Sequence, residues 1–523
     1  MLGCEGADLR VGIDVGGTNT DAVVLDRDNH VLAWSKHPTS PDVVAGMHAA
    51  LGDVLAELDD PALVGRVMLG TTSATNAIVE RRRLGRVAAI RLGAPATTSV
   101  PPLESWPADL RDVVCAGRVI VGGGRFVDGR AIGSVDAAAI RRFLEPLRGE
   151  IDAVAITGVF SPINPDQEQL AAGVVREVLG DLPLSLSHEI GQLGLLEREN
   201  ATVLNAALHD VAGEVTAALS AVLRNHGLAP TTYFAQNDGT LMALEYAARY
   251  PVLTIGSGPA NSLRGAALLS GVKSAVVVDV GGTTTDLGVL VDGFPRESTS
   301  VTRIGGVTTN FRMPDILSIG LGGGTTITGT AEAPVVGPGS VGHRIREQAL
   351  AFGGGTATLT DAAIRAGRIK LGTAKELALS KDRRRTDLLA AALSQADAAL
   401  ADALDQLVAG RGGRPVVAVG GGAFLLPDTV PGAGEILRPE HGDIANAVGA
   451  AIALASGRWD VIIPAGSGRA AAIDAACATA REHAIQAGAD PRSVEIVELI
   501  ETPLAYLTEP VTRVQIKAAG PLA

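Results

Sequence analysis

The stretch VGIDVGGTNTDAVVLD, residues 11–26, returns almost unchanged as VVVDVGGTTTDLGVLVDG, residues 276–293. The aspartates that open the two turns, Asp14 and Asp279, stand 265 positions apart (279 − 14). In each copy a β-branched strand runs into Asp-x-Gly-Gly-Thr, turns, and leaves on a second apolar strand, which is the pattern of a β-hairpin. The glycines lack Cβ, so the backbone can turn tightly and come close to an anion. Successive N–H groups in such a turn form an anion-binding concavity, and threonine hydroxyls add neutral donors. An aspartate beside a phosphate repels it unless a divalent cation stands between them, so Asp14 and Asp279 point to Mg²⁺ held through water. Gly16, Gly17, Thr18 and Thr20 then grip phosphate from one side. Gly281, Gly282, Thr283 and Thr284 grip it from the other. Asp21 and Asp286, just after the turns, serve either as loop caps or as ligands.

Two homologous lobes that each carry one such hairpin would face each other across a cleft. A triphosphate pinned between them would tie lobe closure to nucleotide occupancy. A third glycine cluster, VAVGGGAF (417–424), also follows an apolar strand. Gly420, Gly421 and Gly422 would let the backbone lie flat against a planar group, with adenine the natural candidate. In IGSGPAN (255–261), Gly256, Gly258 and Asn261 would open a helix whose N-terminus faces the phosphates. The cofactors expected are therefore ATP and Mg²⁺.

The bulk composition narrows the partners. Net charge is −13 over 523 residues, from 44 Lys and Arg against 57 Asp and Glu. Such a surface repels a phosphate backbone, so no nucleic acid is expected. The basic clusters ERRRLGR (80–86) and KDRRRTD (381–387) are short and interrupted by acids, and read as solvated helix ends. Apolar runs such as SAVVVDVGG and PVVAVGGGAF break well short of the ~20 residues a bilayer span needs, so no membrane is expected either. Cys4, Cys115 and Cys477 are isolated, and the N-terminus has no signal-peptide build, which predicts a reduced, cytoplasmic protein.

Along the chain, strand and helix patterns alternate. A strand RVMLG hands over at TTSATN to a helix AIVERRR. A strand DAVAITGVF (152–160), a helix DQEQLAAGVVREVLG and a strand LSLSHEIG follow, then one long helix from Gly194 to Gly227. LMALEYAARY reads as a helix, PVLTIGSGPA as a strand, and NSLRGAALLSG and DIANAVGAAIALASG (443–457) as small-residue helices. The tail is expected to run strand, helix, strand, strand. No cluster of histidines has metal-ligand spacing.

Two such hairpins, a late GGG cluster and two small-residue helices resemble the actin, sugar-kinase and heat-shock-chaperone ATPase superfold. More specifically, LGTTSATNAIVERR, SHEIGQLGLLERENATVLNAAL, SGPANSLRGA, DVGGTTTD and DILSIGLGGGTTI are similar, in order and spacing, to the ATP-binding subunit of the hydantoinase/oxoprolinase family, in a short form. The resemblance implies an α/β fold of two actin-like (ribonuclease H-like) lobes around an interlobe nucleotide cleft, with a small α/β C-terminal extension. The expected divisions are a first lobe over 8–262, a second lobe over 263–442, a connecting helix over 443–458 and the extension over 459–523.

The function implied is ATP-dependent opening of a cyclic amide such as a hydantoin, 5-oxoproline or another lactam, by phosphorylation of the amide oxygen. The resemblance also implies a second hydrolase subunit and an oligomeric assembly. The catalytic residues expected are Asp14, Thr71, Thr72, His188, Glu189 and Asp279, with Asn76, Glu197 and Asp315 on the substrate. Thr71, Thr72 and Asn76 could equally cap the helix that follows them. Two alternatives stay open: a small-molecule kinase of the same superfold, and an ATPase that switches or reactivates a partner enzyme.

Overall fold

The computed structural model describes residues 9–38, 43–191, 193–298, 302–310, 313–371, 382–408, 413–466, 468–504 and 510–523. Cys4 and Lys381 lie outside the described residues. The duplication visible in the sequence is a duplication of topology. In the first lobe, strand Leu9–Val15 pairs antiparallel with Asn19–Leu25 on one side and parallel with Val64–Thr71 on the other. In the second, Val276–Val280 pairs antiparallel with Thr285–Val291 and parallel with Val416–Val419. Both first strands are largely buried, Val11–Val15 throughout and Val276–Val280 at every residue but Asp279, as strands inside a covered sheet are.

Each parallel neighbour ends in a turn beside its hairpin. These are Thr71–Thr72 in the first lobe and the Gly420–Gly422 cluster in the second. The two segments, unrelated in sequence, are thus topological equivalents.

The two lobes meet through helices Ser257–Ser270 and Ala445–Ala451. Their crossing leaves no room for side chains. A Cβ at Gly265 would lie 1.9 Å from the Ala445 carbonyl oxygen, and one at Gly449 would lie 1.9 Å from that of Asn261. Gly12 makes the same concession to the first sheet, where a Cβ would lie 2.1 Å from Ala447 O.

A third, fully parallel sheet is inserted into the first lobe, in the order Cys115–Gly122, Val87–Ala94, Ala153–Gly158, Leu184–Leu186. It is tied to helix Leu195–Ala207 by a buried bidentate pair, Arg91 to Glu199, at 2.6 Å for each bond.

Several elements differ from expectation. The long helix is two, Leu195–Ala207 and His209–Asn225, bent by 49°. The first half packs into the core under the inserted sheet and the second against the first-lobe sheet, so one straight rod could not serve both. Among the described residues no single helix is long and apolar enough to cross a membrane.

The helix after Thr72 begins earlier than read, as Ser73–Glu80. LMALEYAARY splits into strand Leu241–Ala243 and helix Leu244–Arg249, and Pro251–Thr254 is a 3₁₀ turn rather than a strand. Ser187–Ile190, read as the end of a strand, is a helical turn.

The small-residue helix stops at Ala451, and Ala455–Pro464 is a strand. Alanine and glycine give no apolar period to separate helix from strand, and the run WDVII that follows takes the extended form. That strand, with Glu495–Leu504 and Val511–Gly520, adds three members to the first-lobe sheet, making nine in all, and helix Arg469–Gln486 packs against them.

Candidate active site

The two hairpins close in the same way. Gly16 N–H donates to Asn19 O at 3.0 Å, and Gly281 N–H donates to Thr284 O at 2.9 Å. Asp14 sits opposite Asp21 in one register and Asp279 opposite Asp286 in the other. The tips face each other across the lobe boundary, since a Cβ at Gly282 would lie 3.1 Å from Thr18 Cγ2.

The second tip is oriented from outside by the loop that follows strand Ile316–Ile319. Gly323 N–H donates to Gly281 O at 3.0 Å, and Gly324 N–H to Gly282 O at 2.7 Å. Peptide planarity then turns the N–H groups of Gly282 and Thr283 away from that loop. The loop can come this close only as glycine, because a Cβ at Gly322 would lie 2.6 Å from Thr283 N.

We expect Gly282→Val to push the tips apart and weaken Mg·ATP binding at least ~10-fold by calorimetry, through overpacking at the contact with Thr18. Gly17→Ala, with nothing within 4 Å of its new methyl, should change affinity far less.

Behind the tips lies an acidic cluster, with Asp14 and Asp21 buried and Asp279 half-buried. Asp14 is 3% exposed, and its Oδ1 has no hydrogen-bond partner. Burial pushes its carboxyl up to about 7, the charges of Asp21 and Asp279 push the same way, and Lys36 and the Asn446 amide oppose them. Asp279 is driven up to about 6, again first by burial, with the Ser262 hydroxyl opposing. Lys36 binds Asp21 with 2.7 Å to both carboxylate oxygens.

Asn261, wholly buried, has neither its Oδ1 nor its Nδ2 partnered. A Cβ on Gly70 would lie 2.6 Å from Asp14 Oδ1 and 2.8 Å from Asn261 Nδ2, so the two unpartnered groups flank one spot. An orphaned carboxylate oxygen on buried Asp14 and a second, half-buried carboxylate on Asp279 are hard oxygen donors with surplus negative charge. They fit Mg²⁺.

Lys36, Ser262 and Asn446 were not singled out in the sequence. The signal available for two of them is polarity within otherwise small, apolar helices: Ser262 in NSLRGAALLSG and Asn446 in DIANAVGAAIALASG.

The remaining expected residues divide. Thr71 and Thr72 sit beside the first tip, with Thr72 N–H donating to Val15 O at 3.2 Å. The Thr71 hydroxyl bonds Ser73 Oγ at 2.9 Å, while Asn76 Nδ2 donates to Thr72 Oγ1 at 3.2 Å, so the three form one turn. Ser257 Oγ reaches Thr71 O at 3.5 Å, which brings the start of the connecting helix and Gly258 to the same turn.

The Thr20 hydroxyl points to the other side of the sheet, where a Cβ on Gly46 would lie 3.1 Å from it. Of the late glycines, Gly420 and Gly422 fit against the second hairpin's own backbone, and Gly421 alone has open space around it. Asp315 is held by Arg296 at 2.7 Å. Glu197 stands in the first turn of helix Leu195–Ala207. His188 and Glu189 line a separate pocket.

Residues 10–179 match the family model described as the hydantoinase/oxoprolinase N-terminal region, and residues 198–406 match the one described as hydantoinase/oxoprolinase. Caprolactamase subunit alpha of Pseudomonas jessenii is 30% identical over 402 residues, covering 69% of this chain and 55% of that protein. The acetophenone carboxylase gamma subunit of Aromatoleum aromaticum is 28% identical over 407 residues, covering 69% of this chain and 54% of its own. The chain thus spans about half the length of the curated relatives it matches. Among solved structures, the ATP-dependent caprolactamase of Pseudomonas jessenii superposes with a TM-score of 0.76 at 21% identity, covering 98% of this chain and 88% of that one. Nucleotide-free acetone carboxylase superposes with a TM-score of 0.72 at 17% identity and the same two coverages. At these identities the superpositions establish the fold.

Proposed function

The chain belongs to the hydantoinase/oxoprolinase family, and from that membership we propose that it uses ATP and Mg²⁺ to activate a cyclic amide for ring opening, as one subunit of a larger enzyme. The observation that carries the reading is the facing pair of hairpins, with Thr18 against Gly282 and two proton-hungry aspartates behind them, Asp14 buried and Asp279 half-buried. A nucleotide's charged end would meet turn N–H groups from both lobes, and closing the lobes would exclude water from the transferred phosphoryl group. Asp14 and Asp279 would hold Mg²⁺, which would supply charge neutralisation between phosphate oxygens.

The chemistry explains the need for ATP. An amide carbon is a poor electrophile because nitrogen donates into the carbonyl. Attack of the amide oxygen on the γ-phosphorus, with ADP leaving, gives an imidate phosphate whose carbon accepts water. In sum the ring amide, ATP and two waters become the open amino acid, ADP and phosphate. The relatives named above as subunits support a partner for the hydrolytic half.

Purified protein, alone and with the product of any neighbouring reading frame, would be given Mg·ATP and a panel of lactams and hydantoins. Phosphate release stimulated by one ring, with an open-chain product in the mass spectrum, is the expected result. A stable phosphorylated small molecule would make the protein a kinase instead. Turnover that answers only to another protein, and never to a ring, would make it a switch.

A further inference from the structure

Asp14, Asp21 and Lys36 stand opposite one another on three neighbouring strands of the first-lobe sheet. Asp14 on Leu9–Val15 pairs with Asp21 on Asn19–Leu25, and Asp21 pairs with Lys36 on Val31–Pro38. Residues directly opposite across a sheet share one face, so carboxylate, carboxylate and ammonium form a single row. Like charges placed opposite each other destabilise a sheet. The row answers that conflict at one end only. Lys36 Nζ lies 2.7 Å from both carboxylate oxygens of Asp21, while Asp14 Oδ1 has no partner among the described residues.

The ion pair is poorly screened, with 24% of the Lys36 side chain and 9% of the Asp21 side chain exposed. Its cation also reaches past its partner. Burial raises the carboxyls of Asp14, Asp21 and Asp279, and the charge of Lys36 opposes that rise in all three. Lys36 therefore acts on the acid of the second lobe as well as on the two of the first.

The charge count at the lobe boundary follows. With Asp21 balanced by Lys36, Asp14 and Asp279 remain. Removing one member of a shielded ion pair leaves its partner's charge uncompensated, so without Lys36 a third carboxylate would be free to attract a cation. The two remaining aspartates belong to different lobes. A bare divalent cation held between them would join the lobes before any nucleotide had entered.

We propose that Lys36 sets the cation selectivity of this position: its charge, anchored on Asp21, keeps Asp14 and Asp279 from taking up a bare divalent cation, so that Mg²⁺ enters only with the phosphates of a nucleotide. Phosphate oxygens bring the negative charge that Lys36 withholds and help to fill the cation's shell of hard oxygens. Lobe closure then answers to nucleotide and not to free Mg²⁺. The inference rests on the nucleotide reading proposed above, and gives Lys36 no contact with the reacting atoms.

The test uses the whole protein at pH 8 without nucleotide. Mn²⁺ stands in for Mg²⁺, since both favour octahedral oxygen sites, and its uptake is read by electron paramagnetic resonance of the free ion. Lys36→Met should bind Mn²⁺ at least ~10-fold more tightly than the unaltered protein, and Lys36→Arg, which keeps the charge, should not. Lys36→Gln keeps a donor for Asp21 and drops the charge; it should show the same gain, and serves if the methionine variant does not fold. Adding Asp21→Asn to Lys36→Met removes both charges of the pair and should return uptake to the unaltered level. Adding Asp14→Asn instead should abolish the gain, which places the cation at this position. In the unaltered protein Mn²⁺ alone should leave the melting temperature where it was, and Mg·ATP should raise it. No gain in the uncharged variants, an equal gain in Lys36→Arg, or an equal thermal shift from Mn²⁺ alone and from Mg·ATP would each overturn the proposal while leaving nucleotide binding intact. Absent Mg·ATP uptake by the unaltered protein would overturn the nucleotide reading, and this inference with it.

Discussion

Asp14→Asn is expected to lower ATP-dependent turnover by ~10²–10³-fold or more, while making the nucleotide-free protein more stable at alkaline pH. The two effects share one cause. Asp14 is buried beside Asp279 and Asp21, with one carboxylate oxygen unpartnered. Its charge is therefore costly where no cation balances it, and asparagine, of the same shape, removes both the cost and the ligand proposed for Mg²⁺. Loss of preorganised electrostatic stabilisation at a transferring group has effects of this size.

The pH dependence follows from the same carboxyl. Its folded value of about 7 lies above the ordinary carboxylate value of 3.8, and that of Asp279 is raised to about 6. Between those limits the native state binds more protons than the unfolded chain, so stability falls as pH rises from ~4 to ~7. For Asp14 alone the ceiling is on the order of 4 kcal/mol, at 1.36 kcal/mol per unit. Thermal unfolding of the unaltered protein and of Asp14→Asn should coincide near pH 4 and separate by a few degrees at pH 8, with the variant higher. Adding Mg·ATP at pH 8 should raise the unaltered protein and leave the variant where it was. If both proteins unfold alike across the whole pH range, Asp14 carries no unmet charge and the cation reading loses its footing.

How far this was legible in the sequence depends on what kind of signal each residue leaves. The hairpins declared themselves because the strand pattern and the turn chemistry pointed the same way twice: a β-branched run into Asp14-x-Gly16-Gly17, and again into Asp279-x-Gly281-Gly282. The tip contact between Thr18 and Gly282 was implied by that duplication. Asn446 and Lys36 were not, because their meaning comes from which helix or strand lies behind which acid, and tertiary packing leaves no local trace.

The helix expected over 443–457 overran its true end because a run of alanines and glycines has no apolar period to break. Gly420–Gly422 looked like a ligand surface, yet two of the three glycines serve the close approach of one strand end to the neighbouring hairpin. His188 stands out in the sequence, but its surroundings are not legible there, since its partner Glu168 and the residues that line the same pocket, among them Asn237 and Arg458, come from separate parts of the chain.

The crossing of the two connecting helices carries the second large effect. Gly449→Val is expected to destabilise the protein by more than ~3 kcal/mol, beyond ordinary overpacking, because the obstruction is backbone rather than a side chain that can rotate away. A Cβ at this position would lie 1.9 Å from Asn261 O and 2.6 Å from Asn261 C, so one helix must shift bodily. Gly213→Ala is the matched control: it lies on an exposed helix face with nothing within 4 Å, and should be neutral or slightly stabilising. Gly449→Ala discriminates further. The residue it pushes is Asn261, whose amide flanks Asp14, and the next residue along, Ser262, touches Asp279. A shift too small to unfold the chain therefore moves two groups beside the aspartates proposed to hold Mg²⁺. The alanine variant should keep a cooperative thermal transition yet bind Mg·ATP more weakly by calorimetry. A variant that keeps both its melting temperature and its nucleotide affinity would mean that the helices are not in the contact described, and that the lobes are joined some other way.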